Sequence, residues 1–143
     1  CANSGVDASN VGTGSTDYVV LLPLDPDASA RRIRDRVGES LGIATAVIVS
    51  DTFGRPWREG AGNVAIGVAG MEPLWDYRGE SDNDGRELHS TVIAVADEIA
   101  AAAELVTNKL TRVPVAVVRG YSYIPGESGI APVIRERDKD LFR

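Results

Sequence analysis

The sequence has little of what zinc centres and disulfide frameworks require. Cys1 is its only cysteine and His89 its only histidine. One cysteine cannot form a disulfide within the chain, so we expect a reducing compartment, the cytoplasm. Zinc usually takes several nitrogen or sulfur ligands, and this composition therefore argues against a zinc site.

Long apolar runs and an excess of basic residues are also missing. No uninterrupted apolar stretch could span a membrane, and no signal peptide is visible. Lysine and arginine number 15 against 21 acidic residues, which gives a formal net charge of -6. This balance argues against nucleic acid as a partner, because binding a polyanion depends on a basic face. A small phosphate ligand stays compatible, since a metal ion and a few arginines can hold it.

The composition that remains is that of a folded domain. The chain has 143 residues, of which 43% are hydrophobic and 25% charged. This length suits one domain with a core of its own, so we treat residues 1–143 as part of a single domain. Because the sequence starts at Cys1 and enters motif-like segments almost at once, we expect a fragment that lacks an amino-terminal part.

Helical and extended patterns alternate along the chain, which predicts an α/β or α+β fold with a mixed sheet. Helices are predicted where apolar residues recur every three or four positions, and strands where β-branched residues cluster between turn residues. The predicted helices are 29–41, capped by Asp27 or Ser29 and by Gly42, and 90–107. The predicted strands are 18–22, 43–50, 63–70, 74–77 and 113–118. The charged segment 134–143 is interpreted as a surface helix or a frayed end.

The stretch 47–57 contains the strongest candidates for a ligand-binding site. Its apolar strand is predicted to end in a polar turn that presents Asp51 and Thr52. In open α/β folds ligands bind at the carboxyl ends of strands. A carboxylate beside a hydroxyl suits a hard divalent cation such as magnesium or manganese. The local alternative is that Asp51 only caps the turn through a hydrogen bond to the backbone.

Other polar groups allow two interpretations each. Asp7 and Asn10 could converge on an ion or a phosphate, or satisfy their own backbone. Arg55 and Arg58 could clamp an anion, or lie in water on a loop anchored by Trp57. The acids of the helix 90–107 are interpreted as a solvated face, and the acidic loop 79–85 lacks the spacing of a calcium loop. The sequence also lacks a Walker A motif, a G-x-G-x-x-G fingerprint and a serine elbow.

Two further motifs of the sequence are G-V-D-A-S-N-V at 5–11 and S-D-T-F-G-R at 50–55. In their order along the chain, these motifs resemble those of the coenzyme F-420-0:L-glutamate ligase family. The likeness reaches Gly120 and corresponds to the carboxyl-terminal part of the family's ligase domain. The other matching segments are 22–27, 29–30, 64–67, 95–101 and 117–120.

The resemblance implies a GTP-dependent enzyme that adds L-glutamate to the precursor of a deazaflavin coenzyme and builds a γ-glutamyl tail. It also implies an intertwined homodimer that uses Mg²⁺ or Mn²⁺. Matched by motif, Asp7 and Asp51 are metal ligands, Thr52 binds a second ion, and Asn10 contacts the guanine nucleotide. An acyl phosphate made from GTP is the simplest way to activate the acceptor carboxylate.

One departure from the family's pattern concerns the end of the second helix. Some members place glycine and an acidic metal ligand there, whereas this chain has Asn108 and Lys109. A lysine cannot hold a cation, so Lys109 could contact a nucleotide phosphate directly, or complement the carboxyl end of the helix. Two rival functions stay open: a phosphate-handling enzyme with another acceptor, and a non-catalytic dimerisation or binding fragment. No catalytic or glutamate-binding residue is identified.

Overall fold

The computed structural model describes residues 6–7 and 18–140 of the chain. Helices and strands are interspersed, as predicted, and the three strand pairs found within these residues are all antiparallel. The helices are α1 (Pro26–Leu41) and α2 (Val95–Thr107), and short 3-10 turns follow at Ala131–Val133 and Arg137–Lys139. The strand pairs are β1 (Val6–Asp7) with β2 (Val20–Leu21), β3 (Val47–Gly54) with β4 (Ala61–Ala69), and β5 (Trp75–Asp76) with β6 (Val92–Ile93).

Helix α1 begins three residues earlier than predicted. Asp25 is its N-cap, and the Asp25 carboxylate accepts a hydrogen bond of 2.7 Å from the backbone N–H of Ala28. Pro26 follows at the first helical position, where its fixed φ favours the helix and its missing N–H costs nothing. The predicted cap at Asp27 or Ser29 is therefore wrong. The predicted C-cap is confirmed, since Gly42 adopts a left-handed φ of 66°.

The β3–β4 hairpin differs most from expectation. Strand β3 starts four residues later than predicted and continues through Asp51 and Thr52, which were placed in a turn. They lie instead inside an antiparallel ladder, opposite Val64 and Asn63 respectively. The rule about the carboxyl ends of parallel strands consequently does not apply to them. A register shift after Val49 adds one residue to β4 and bends the hairpin.

Helix α1 and β4 approach each other closely at Gly67. A Cβ atom added to this buried glycine would lie 2.7 Å from the Cβ of Pro26, and closer still to its carbonyl group. Next to it, the Asp27 carboxylate accepts a hydrogen bond of 2.7 Å from the N–H of Val68. The same carboxylate accepts the N–H of Ile130 at 3.1 Å. Asp27 therefore joins α1, β4 and the carboxyl-terminal segment.

The segment 124–130, here called the strap, is attached to α1 and to Glu72, which follows β4. Its first residue accepts a backbone hydrogen bond of 2.8 Å from Glu72, whose carboxylate accepts one of 2.6 Å from the Ser128 hydroxyl. Glu127 forms an ion pair with Arg34 of α1, and this hydrogen bond raises the pKa of the Arg34 guanidinium. Polar contacts with residues distant in sequence therefore hold the strap in place.

A small apolar core lies between β4 and α2. Helix α2 starts at Val95, five residues later than predicted, because the preceding residues form β6. The predicted strand 113–118 has no partner strand among the described residues, and Val115 and Val117 are 71% and 75% exposed. No helix in the described part of the chain is long and apolar enough to cross a bilayer. The core residues are Ala65, Val68, Met71, Val95 and Ala96.

The contact at Gly67 predicts an asymmetry between two glycines of β4. Gly67→Ala should lower the free energy of unfolding by about 1–3 kcal/mol, because the new methyl group meets the backbone of Pro26. Gly62→Ala is the matched control, since no atom lies within 4 Å of its added Cβ. Urea unfolding of the protein that contains this chain measures both changes. Equal stabilities for the two variants would contradict the close approach.

The junction at Asp27 predicts a second difference. Asp27→Ala should destabilise the fold by about 2 kcal/mol, because the N–H groups of Val68 and Ile130 lose a charged acceptor. Asp35→Ala on the same helix removes only an exposed ion pair with Arg34 and should cost less than about 0.5 kcal/mol. The same unfolding measurement compares the two variants. A loss at Asp35 as large as that at Asp27 would refute the junction.

Candidate functional site

The site is built on the middle of β3. Asp51 and Thr52 are half-buried there, and the backbone N–H of Thr52 donates a hydrogen bond of 2.8 Å to Asp51 Oδ1. This is the local contact expected if Asp51 satisfied only its own backbone. A carboxylate offers about four acceptor positions, however, so one such bond is compatible with a further role as an oxygen ligand.

Across the hairpin, the Thr52 side chain joins a chain of hydrogen bonds. Its Oγ1 lies 2.8 Å from Asn63 Oδ1 and 2.9 Å from Lys109 Nζ. An amide oxygen can only accept and an ammonium can only donate. The Thr52 proton therefore points to Asn63, and the Lys109 ammonium donates to a lone pair of the hydroxyl. The structure thus brings together Thr52 and Lys109, two predicted site residues that are 57 positions apart.

Helix α2 supports this arrangement with two carboxylates. Glu104 Oε2 accepts the backbone N–H of Asn63 at 3.2 Å, and Asp97 Oδ1 accepts that of Ala65 at 2.9 Å. The interpretation of these acids as a solvated face is wrong. A spacing of seven residues, two helical turns, was the available signal, because it places both acids on one face of α2. That this face lies along β4 follows from tertiary packing, which the helix pattern does not contain.

The other predicted residues are placed differently. Asp7 lies on β1, exposed, opposite Val20 of β2. Asn10 lies outside the described residues. Within residues 6–7 and 18–140, no three histidine, cysteine, aspartate or glutamate side chains are grouped to hold a metal ion. A metal site shared by Asp7 and Asp51 accordingly remains a prediction.

The donor atoms fit one of the two implied ions better than the other. Mg²⁺ is commonly held by one or two carboxylates, with water and substrate phosphates completing its shell, and Asp51 suits that role. The hydroxyl of Thr52 does not suit a second divalent ion, because the Lys109 ammonium already donates to it at 2.9 Å. The site therefore combines a candidate metal ligand with a fixed positive charge.

The loop between β3 and β4 is closed by Arg55. Its guanidinium donates to the carbonyl oxygens of Glu59 at 2.8 Å and Gly60 at 3.4 Å. Trp57 adopts a left-handed φ of 56°, and its side chain is 88% exposed. The Arg55 guanidinium thus holds the backbone of this loop.

Comparison with known proteins gives the family. The model of the F420-0:Gamma-glutamyl ligase family matches residues 1–120. The whole chain is 49% identical, over 146 aligned positions, to the coenzyme F420:L-glutamate ligase of Methanothermobacter thermautotrophicus, and covers 57% of that protein.

Two further relatives carry the same name. The ligase of Methanocaldococcus jannaschii is 43% identical over the whole chain, which covers 56% of it. That of Haloarcula marismortui is 46% identical over 99% of the chain, which covers 54% of it. The chain thus spans a little over half the length of these relatives. Its motifs, in the order in which they occur, and the match over residues 1–120 establish that it belongs to the F420-0:gamma-glutamyl ligase family.

Proposed function

We propose that the protein containing this chain joins L-glutamate to the precursor of coenzyme F-420, with GTP as co-substrate and Mg²⁺ or Mn²⁺ as cofactor. The observation that carries the proposal is the 49% identity, over the whole chain, to a coenzyme F420:L-glutamate ligase. The side chains on β3 support it, because they offer an oxygen ligand beside a fixed cation. Addition of further glutamates through γ-linkages belongs to the same proposal.

The reaction has to activate a carboxylate before an amide bond can form. A carboxylate oxygen of the acceptor attacks the γ-phosphorus of GTP, and GDP leaves with the electron pair of the broken P–O bond. The product is an acyl phosphate. The amine nitrogen of glutamate then attacks the acyl carbon, inorganic phosphate leaves, and the nitrogen loses a proton. Phosphoryl transfer of this kind depends on aligned reactants and on neutralised phosphate charge.

The residues of the site divide this work. Lys109 supplies a compact positive charge for a phosphate oxygen of GTP, and Thr52 orients it through their 2.9 Å hydrogen bond. Asp51, together with Asp7, would hold the divalent ion, which would supply positive charge to neutralise the phosphates. Asn10 is proposed to contact the guanine nucleotide, on the strength of its motif alone.

We propose a homodimer because the family resemblance implies one, and the exposed apolar side chains are compatible with it. Several large hydrophobic residues in the last turn of α2 and in the segment after it have more than two thirds of their surface exposed. Such exposure is typical of a surface that another chain or domain covers. Sedimentation analysis of the complete protein tests this proposal, and a monomer at all concentrations would refute it. The residues are Leu105, Val106, Leu110, Val115 and Val117.

The activity is tested by incubating the protein that contains this chain with GTP, Mg²⁺, L-glutamate and the deazaflavin precursor. We expect mass increments of one or more glutamyl residues on the precursor, with GDP formed in equal number. GDP formed without glutamyl products would favour the phosphate-handling enzyme with another acceptor. The 143-residue chain alone, assayed in parallel, distinguishes a non-catalytic fragment from a complete active site.

The role of Asp51 is tested by Asp51→Asn. We expect kcat/KM for glutamyl transfer to fall by more than about 100-fold, since loss of a direct ligand should exceed the effect of losing an outer partner. Asp35→Asn on the exposed face of α1 is the control and should leave the rate unchanged. Circular dichroism verifies that both variants are folded. Full activity of Asp51→Asn at saturating Mg²⁺ would exclude this role.

A further inference from the structure

We infer that the Lys109 ammonium takes the place of a second divalent ion at Thr52, so that each site binds one divalent ion and not two. The inference rests on the proposed function only in so far as the site handles a metal-bound nucleotide. It concerns how many ions this chain can hold, which can be measured without turnover.

The hydrogen bonds of Thr52 carry the argument. A hydroxyl has one proton and two lone pairs. The proton is directed to Asn63 Oδ1 at 2.8 Å, and one lone pair accepts from Lys109 Nζ at 2.9 Å. A divalent ion on the same oxygen would stand next to the ammonium, at a distance where like charges repel strongly even near a protein surface. Thr52 therefore orients a cation that belongs to the protein.

Asn63 fixes the direction of this hydrogen bond. It lies directly opposite Thr52 in the β3–β4 register, and its backbone N–H is held at 3.2 Å by Glu104 of α2. The Asn63 amide oxygen accepts the Thr52 proton. With the proton held there, the lone pairs of the Thr52 hydroxyl face Lys109. Asn63 and Glu104 are thus positioning residues for the ammonium.

The turn that ends α2 places Lys109 over β3. Asn108 ends the helix with a backbone φ of 58°, a conformation that residues other than glycine rarely adopt. Its backbone N–H donates to Glu104 O at 3.0 Å, and its side-chain oxygen accepts from Leu110 N at 3.1 Å. Helix and turn therefore share Glu104, whose carboxylate and carbonyl hold Asn63 and Asn108 respectively. These hydrogen bonds fix the backbone on both sides of Lys109.

The chemistry of an ammonium group and of a divalent ion is consistent with Lys109 replacing the ion at Thr52. An ammonium has three N–H donors, so a bond to Thr52 is compatible with simultaneous contact to a phosphate oxygen. Like a metal ion, it neutralises charge on the transferred group, but it needs no ligand shell. A carboxylate at this position would attract a divalent ion to Thr52, whereas lysine repels one.

The test counts ions directly. The protein is titrated with Mn²⁺ in the presence of a GTP analogue with a β,γ-imido bridge, and free Mn²⁺ is followed by electron paramagnetic resonance. We expect one Mn²⁺ per site in the wild type and still one in Thr52→Val, with affinities within about threefold of each other. Two ions in the wild type, or none, would overturn the inference. So would a count that drops on Thr52→Val.

Substitutions at position 109 give the complementary test. Lys109→Glu puts a carboxylate beside Thr52 and should raise the count to two Mn²⁺ per site. Lys109→Gln removes the charge without adding an anionic ligand and is the matched control, for which we expect one. A count that stays at one in Lys109→Glu, in protein that melts at the wild-type temperature, would overturn the inference. Because no product is measured, an inactive protein that binds one Mn²⁺ would disprove the ligase proposal and not this one.

Discussion

Three carboxylates hold the backbone of β4, and the rest of the structure depends on them. Asp27 of α1 and Asp97 and Glu104 of α2 accept the N–H groups of Val68, Ala65 and Asn63. A strand with unsatisfied N–H groups is a template for unwanted pairing, and charged acceptors form stronger hydrogen bonds than neutral ones. Part of the acidic excess of the chain therefore serves its backbone. Both helices are attached to one strand by the same kind of contact.

The candidate site uses this attachment. Because Glu104 fixes the backbone of Asn63, the Asn63 side chain stands in one place opposite Thr52. The hydrogen bonds then continue through the Thr52 hydroxyl to Lys109, which follows the same helix that carries Glu104. Helix α2 consequently contributes both the support and the charge. A shift of α2 along β4 would move the two together, so the geometry of the site is coupled to the packing of the sheet.

Local signals in the sequence predict part of this and miss the rest for a physical reason. Gly42 ends α1 as expected, because a left-handed C-cap depends on a few neighbouring residues. The span of β3 was wrong, since the ladder opposite Val64 and Asn63 extends it through Asp51 and Thr52. Pairing between strands is not encoded in one strand's own pattern. The part played by the α2 acids was missed for the same reason.

Motif matching and geometry contribute differently to the site. The local sequence indicates Asp51 and Thr52 as a pair, and the likeness to a family implies their roles. The match over residues 1–120 confirms the family. Only the folded chain shows that Lys109 lies on the hydroxyl of Thr52. An exchangeable ion occupies its site according to its concentration, whereas a lysine side chain is present in every molecule. In the proposed arrangement the Lys109 ammonium supplies one of three positive charges and the ion proposed at Asp51 supplies the other two. Only the charge of Lys109 is independent of metal supply.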